Sequence, residues 1–182
     1  MLEIRIHGYG GQGAVTLAHL LAQAALDSGS QSQALPSFGV ERRGAPVKAD
    51  VRIDNTPILV HSQSTTPNIL AFMDKLLIDT GVAEGCAENC ILVVNAAEPH
   101  ATDKEAYFLD AMGMAADEDL TAGGTPLLNI PLLGALACIA EIPAEVLDET
   151  LRKKWSGEAG EKNVRAARRG YDSVAKQKGE LA

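Results

Sequence analysis

The sequence predicts a single three-layer α/β domain over residues 1–182, with a mainly parallel or mixed central sheet and helices packed on it. Three observations carry that prediction. Leu2, Ile4 and Ile6 alternate with Glu3, Arg5 and His7, the two-residue period of a strand. A glycine-rich turn follows, and a long apolar helix pattern opens directly after it. Further strand-like and helical runs then succeed one another without repeats, low-complexity segments or linkers.

In the turn Gly8-Tyr9-Gly10-Gly11-Gln12-Gly13 the glycines let the backbone take positive φ and approach a ligand without an intervening Cβ. A turn that opens onto a helix N-terminus directs unpaired N–H groups and the positive end of the helix dipole at one spot, which suits an anion. The spacing satisfies G-x-G-x-x-G in a strand–turn–helix context, a Rossmann-like first unit. Dinucleotide binding also requires an Asp or Glu at the end of the next strand, about 20 residues on. The next strand-like run, Gln31 to Leu35, leads into Pro36-Ser37-Phe38-Gly39 without one, and Asp27 and Glu41 are badly placed to serve. A phosphate-bearing ligand is therefore expected at the turn. A purely structural glycine turn is the competing reading.

Ala14 to Leu26 is apolar nearly all round, with Thr16, His19, Gln23 and Asp27 on one narrow stripe. Such a helix belongs between a sheet and further helices or another subunit, with His19 a partly exposed helix residue. Pro36 to Pro46 holds two prolines and two glycines and reads as a shaped loop. Within it, Arg42 and Arg43 offer planar donors to a phosphate or carboxylate, and Glu41 is placed to orient one of them. This loop follows the second strand of a unit whose first turn is glycine-rich, so both are expected at one end of the sheet. An internal Arg–Glu brace is the alternative.

Val47, Ala49, Val51 and Ile53 alternate with Lys48, Asp50 and Arg52 as a half-exposed strand. Asp54 to Pro57 turns the chain, and Ile58 to Val60 reads as the second arm of a hairpin. Pro67 to Thr80 holds a short helix and a strand-like run, Leu76 to Asp79. Cys90 to Asn95 is the most apolar strand candidate and is placed at the sheet centre. Residues 97–126 have no clear pattern beyond Gly113, Gly123, Gly124 and the acidic cluster Asp117-Glu118-Asp119. Leu127 to Ala140 is apolar around one amide, Asn129, which either caps a helix or faces a site. Pro143 opens another helix. Glu158 to Lys178 then repeats Gly160, Val164, Ala167, Tyr171 and Val174 at three- and four-residue steps, an amphipathic helix. Its Arg165, Arg168 and Arg169 form a solvated face or dock onto an acidic partner.

Composition narrows the function. At 46% hydrophobic and 22% charged residues, the chain is an ordinary globular domain. Residues 1–150 hold 7 Lys+Arg against 20 Asp+Glu, so nucleic acid is not an expected partner. The last 32 residues reverse the balance, 9 against 4. No run suits a membrane span, and the chain opens on a strand pattern rather than a signal peptide, so a cytoplasmic location is expected. Cys86, Cys90 and Cys138 are too few and too scattered for a disulfide framework or an iron–sulfur centre. His7, His19, His61 and His100 show no metal-ligand spacing, and no nucleophile motif or Walker loop occurs. No catalytic residue is expected here; the chain reads as a binding domain.

Three blocks together resemble a known family. They are Ile4 to Gly13, the loop Pro36-Ser37-Phe38-Gly39-Val40-Glu41-Arg42-Arg43-Gly44, and the C-terminal helices, marked by Asn129 with Leu133 to Leu136 and by Asn163 to Tyr171 with Gly170. They resemble the gamma subunit, or gamma domain, of 2-oxoacid:ferredoxin oxidoreductases, which act on pyruvate, 2-oxoglutarate, branched-chain 2-oxoacids or indolepyruvate. The resemblance implies an oxidoreductase that decarboxylates a 2-oxoacid to acyl-CoA and passes electrons to ferredoxin. Thiamine diphosphate, Mg and iron–sulfur clusters are then implied in partner subunits only, the partners being alpha, beta and ferredoxin-like delta subunits. Coenzyme A is implied near the glycine turn, with Gly8, Gly10, Gly11, Gln12, Gly13, Ser37, Arg42, Arg43 and Asn129 as its candidate contacts. A free-standing subunit of this length fits the 2-oxoglutarate, pyruvate and indolepyruvate enzymes alike, and 2-oxoglutarate is slightly favoured, with pyruvate next. The apolar first helix predicts that the isolated chain self-associates, as a homodimer for example, or is covered by partners. A self-contained NAD or flavin reductase and a purely structural subunit are the alternatives.

Overall fold

The computed structural model describes residues 1–37, 44–80 and 85–181. β1 (Leu2–Tyr9) enters the glycine turn and α1 (Ala14–Asp27) leaves it. β2 (Gln31–Ser37), β3 (Pro46–Asp54), β4 (Ile69–Phe72), β5 (Ile91–Asn95) and β6 (Ala106–Leu109) complete a six-stranded sheet in the order β2-β3-β1-β4-β5-β6. β1, β4, β5 and β6 run parallel, whereas β3 is antiparallel to both of its neighbours. A 3-10 helix (Lys75–Thr80) follows β4. The C-terminal half adds α2 (Ala111–Asp117), a small hairpin of β7 (Thr121–Ala122) and β8 (Thr125–Pro126), α3 (Asn129–Ile139), α4 (Ala144–Lys154) and α5 (Gly157–Leu181). No helix among the described residues is long and apolar enough to cross a membrane.

Alternation along the strands decides which side meets the helices. Ile4 and Ile6 of β1, Ala49 and Val51 of β3 and Val93 of β5 join residues of α1, α3 and α5 in the main core. α3 is buried from Asn129 through Cys138. It lies directly against α5 because Gly134 and Gly170 remove the side chains between them: a Cβ on either would overlap a backbone carbonyl of the facing helix, Ala167 or Pro131 respectively. The other sheet face carries a smaller core of Leu70, Phe72, Leu92 and Val94, closed by Leu77 of the 3-10 helix. Helices, sheet and this cover of 3-10 helix and connecting segments are stacked in that order.

The α1 stripe is as expected, with Thr16, His19, Gln23 and Asp27 exposed and most other positions buried. Its apolar circumference is covered within the chain, by the sheet, α3 and α4. The surface on which self-association was expected is therefore already occupied. Val47 to Ile53 is not half-exposed. Asp50 and Arg52 on its polar face are each 1% exposed, because antiparallel register sets Glu3 opposite Arg52 and Arg5 opposite Asp50. Their salt bridges, both at 2.7 Å, lie under the segment that follows β3. Ser64 binds Asp50 through its N–H and Glu3 through its hydroxyl. Arg52 donates to the carbonyl of Val60 at 3.1 Å.

The same network explains why Ile58 to Val60 is not a hairpin arm. Both edges of β3 are taken by β1 and β2, and the segment crosses the sheet face instead. Within 67–80 the strand comes first, as β4, and Leu76 to Asp79 lies in the 3-10 helix. β4 is buried throughout and shows no alternation, so periodicity does not reveal it. β5 is interior but stands next to the edge strand β6, and the middle of the sheet is β1 and β4. The basic residues of α5 form a partly solvated face, as expected, and its arginines are paired within the chain. Arg165 pairs with Glu118 at 2.8 Å, Arg169 with Asp117 at 2.8 Å, and Arg168 with Asp148 at 2.8 Å, so the acidic cluster and its neighbours are their partners.

Candidate functional site

The glycines of the turn serve different purposes. Gly11 (φ 98°) and Gly13 (φ 86°) occupy the left-handed region that disfavours a side chain. Gly8 lies within β1, and a Cβ there would sit 2.7 Å from the sulfur of Met73. Gly10 donates to the carbonyl of Ala45 at 2.9 Å and accepts from the N–H of Gly44 at 3.2 Å. Gln12 folds back: its Oε1 accepts from the N–H of Tyr9 at 2.7 Å, so this side chain braces the turn.

Gly13 is the N-cap of α1. The helix has no side-chain cap and no acidic residue in its first turn, so its first N–H groups and its dipole are not offset by carboxylate. A cavity of about 340 Å³ opens against this end. Gly11, Gln12, Gly13 and Thr16 form one wall; Asn129, Asn163 and Trp155 belong to the others. Asn129 packs on the bare Cα of Gly13, where a Cβ would stand 2.7 Å from its Nδ2.

Asn129 is the first residue of α3, not its cap; the cap is Leu128, and no side chain caps that helix. Both Asn129 and Asn163 are 4% exposed. Asn163 donates through Nδ2 to the carbonyl of Ala159, one turn earlier in α5, at 2.8 Å. The Oδ1 atoms of both asparagines are buried without a hydrogen-bond partner. Leaving a buried acceptor unpaired costs about 1–3 kcal/mol, so two such atoms on residues that line one cavity are a departure from ordinary packing. In the sequence Asn163 stands out only as part of the block Asn163 to Tyr171. The local signal was its position on α5 between Gly160 and Ala167, on the buried stripe where an amide is out of place.

Two further cavities have settled polar groups. One of about 460 Å³ follows the α1 stripe from Thr16 to Asp27, facing Thr150, Lys153 and Lys154 of α4. There Asp27 accepts from Gln23, Thr150 and Lys153, and the bonds from Gln23 and Thr150 hold its carboxyl below the usual range. Another of about 240 Å³ lies past the ends of β4 and β5. In it Asn95 is bonded to Met73 and Ala111, and Asp110 caps α2.

Ser37 ends β2, where its hydroxyl accepts from Gln63 at 2.6 Å. It is not among the described residues that line the glycine-turn cavity. Arg42 and Arg43, with Phe38 and Glu41, lie outside the described residues. Gly44, which follows Arg43 in the chain, is held to Gly10 of the turn. β3 stands between β1 and β2, so the carboxylate position of a dinucleotide fold has no counterpart beside β1. His7, on the loop-covered face, is stacked on Phe72 at 5.3 Å, has an unpartnered Nε2, and is brought down to about 4 by burial. Among the described residues no group of three His, Cys, Asp or Glu is placed to hold a metal ion.

Comparison with known proteins extends over the whole fold. Residues 3–173 match the family described as pyruvate ferredoxin/flavodoxin oxidoreductase. The pyruvate/ketoisovalerate oxidoreductases common subunit gamma of Pyrococcus furiosus is 41% identical, over 96% of this chain and 97% of that protein. The crystal structure of pyruvate oxidoreductase subunit PORC from Thermotoga maritima superposes with a TM-score of 0.81 at 32% identity, covering 94% of this chain and 95% of that one. The 2-oxoglutarate:ferredoxin oxidoreductase from Magnetococcus marinus, solved with 2-oxoglutarate, coenzyme A and succinyl-CoA bound, shares the fold at 19% identity and a TM-score of 0.80. That match covers 96% of this chain and 31% of the other.

Proposed function

This chain belongs to the pyruvate ferredoxin/flavodoxin oxidoreductase family as a gamma subunit, and from that premise we propose that it holds the phosphates of coenzyme A for a complex that makes acyl-CoA from a 2-oxoacid. The observation that carries this reading is the uncapped N-terminus of α1, opening through two left-handed glycines into a cavity. Coenzyme A supplies the thiol that receives the acyl group. The chain's own part is binding: N–H groups of the turn and of the first turn of α1, with the Thr16 hydroxyl beside them, meet the pyrophosphate. Gly8 and Gly10 shape that turn, and Gln12 fixes it. Arg42 and Arg43 are assigned to a further phosphate or to a partner carboxylate, and the hydrogen bond from Gly44, the residue after Arg43, to Gly10 of the turn supports that assignment. Ser37 is kept as a residue of the same segment.

Thiamine diphosphate, Mg and the iron–sulfur clusters are assigned to alpha, beta and delta partners, and electrons leave the complex on ferredoxin. For the substrate, the names of the more similar relatives favour pyruvate over 2-oxoglutarate. A cytoplasmic complex is the corresponding location.

The test is affinity purification of the tagged chain from its own cells, followed by an assay of 2-oxoacid- and CoA-dependent reduction of a viologen dye. Thiamine- and cluster-bearing subunits are expected to co-elute, with pyruvate the best substrate. Changing Arg42 and Arg43 together to alanine is expected to raise KM for CoA at least about tenfold, the loss of a charge-assisted contact. Full CoA-dependent turnover in that variant would remove the arginines from the site.

A further inference from the structure

The two outer strands close the sheet differently. β6 is four residues long, and the side-chain amide of Gln177 in α5 covers its outer edge: Oε1 accepts from the Phe108 N–H at 3.2 Å and Nε2 donates to the Phe108 carbonyl at 3.0 Å. One amide thereby stands in for a neighbouring strand. β2 is seven residues long, and among the described residues no group bonds to the N–H and C=O groups of its outer edge. Folded proteins protect such edges with charge, proline or a covering segment. The run Gln31-Ser32-Gln33-Ala34-Leu35-Pro36-Ser37 carries no charge, and its one proline comes after five residues that keep their N–H groups.

Exposed apolar side chains flank this edge on both faces of the sheet. On the helix side the carbonyl of Ala22 accepts from the Ser32 hydroxyl at 2.6 Å, and Leu26, four residues later on the same side of α1, is exposed. On the other side the segment that follows β3 runs along β2, with His61 bonded to Gln33 at 3.0 Å and Gln63 to Ser37 at 2.6 Å. Leu59, 83% exposed, and the exposed Val60 directly precede His61. A stable protein interface buries about 1,200–2,000 Å², more than one strand pair supplies, so an edge that pairs lastingly needs apolar flanks of this kind.

We infer that the β2 edge is a self-association surface, on which a second copy of this chain adds its own β2 antiparallel and continues the sheet across a two-fold axis. Pairing over residues 31–35 sets Gln33 on the axis, opposite its own copy, so no charge faces a like charge along the strand pair. The axis also brings Leu59 and Val60, which lie on the Gln33 side of the sheet, toward their own copies. The carboxylates at the start of the strand are already neutralised, Asp27 by Lys153 and Asp54 by the Met1 amino group. A charged partner strand would find no counter-charge on this edge; the same neutral strand needs none. Self-association here leaves α1 covered within the chain and is independent of the coenzyme A site.

The test is sedimentation equilibrium of the full chain over a range of concentrations, with amide hydrogen exchange of β2. A reversible dimer is expected, in which the amides of residues 31–35 become protected as concentration rises and those of β6 do not change. Gln33→Lys sets two cations across the axis, and Leu59→Ser removes an apolar flank. Each is expected to raise the dimer dissociation constant at least about tenfold, with the melting temperature of the monomer unchanged. Mixing Gln33→Lys with Gln33→Glu is expected to restore the dimer, because opposite charges then meet on the axis. A chain that is monomeric at every concentration overturns the inference. So does a dimer that keeps its affinity in either folded variant, since it would lie on another surface. Protection of residues 31–35 in the purified complex with one copy of this chain present would give the edge to a different subunit, and the inference falls. Should Gln33→Lys lower the melting temperature, Leu59→Ser decides, because so exposed a side chain contributes little to the fold.

Discussion

Gly13 links backbone strain to site architecture, so Gly13→Ala is expected to act twice. The φ of 86° penalises any side chain, and the new methyl would collide with Asn129. A loss of about 2 kcal/mol in urea unfolding, with weaker CoA binding, is the expected result. His7 sets a pH dependence. Its imidazole titrates near 6.5 in the unfolded chain and is brought down to about 4 in the fold, by burial first and by Arg5 next. Protonation therefore favours unfolding: the contribution is fully present above pH 6.5 and is lost as pH falls through 4. Urea midpoints measured across that window should decline by the equivalent of roughly 3 kcal/mol, and His7→Gln should flatten the decline. Neither effect is visible from residue identity alone. Gly13 and His7 were both noticed in a strand–turn pattern, but their consequences depend on Asn129 and Phe72, more than 60 positions away.

At the scale of elements, the α3–α5 contact is the most exacting. Gly134→Ala and Gly170→Ala would each drive a methyl into a carbonyl of the facing helix. Each is expected to cost about 3 kcal/mol by chemical denaturation, the upper end for added methyls, because backbone cannot rotate aside as a side chain can. Glu118→Gln, which breaks exposed pairs to Arg165 and Arg169, should cost less than about 1 kcal/mol in the same measurement. β1, α1 and α5 were legible from sequence because polar residues still punctuate their apolar ones at regular steps, of two in β1, whose second face is ionic, and of three to four in the helices. β4 and α3 are buried on all sides and lose their period, and the β7–β8 hairpin, turning on Gly123 and Gly124 at positive φ, is too short to show one. The paired glycines at 123 and 124 were the signal available for it.

For the whole molecule, the charge split along the chain is resolved internally, since basic α5 packs on the acidic residues around α2 and in α4. The chain therefore has no unpaired basic face there for an acidic partner. The open place is the end of the sheet at the glycine turn, where Gly44 is bonded to Gly10 and where the cavity lies. A ligand that binds only the folded chain stabilises it, so CoA at about a hundred times its Kd should raise stability by about 2.7 kcal/mol, readable as an upward shift in melting temperature.

The strand–glycine turn–helix unit, the amphipathic last helix, the want of metal and nucleophile motifs and the family resemblance are all legible in the chain's residues. These are local properties, carried by the spacing of residues that are neighbours in the chain. Tertiary packing alone sets β3 between β1 and β2, makes the polar face of β1 and β3 a buried ionic network, and brings Asn129 and Asn163 to the cavity beside Gly13. Those outcomes depend on strand register and on helix packing between segments far apart in sequence, where burial rather than periodicity determines which polar atoms find partners.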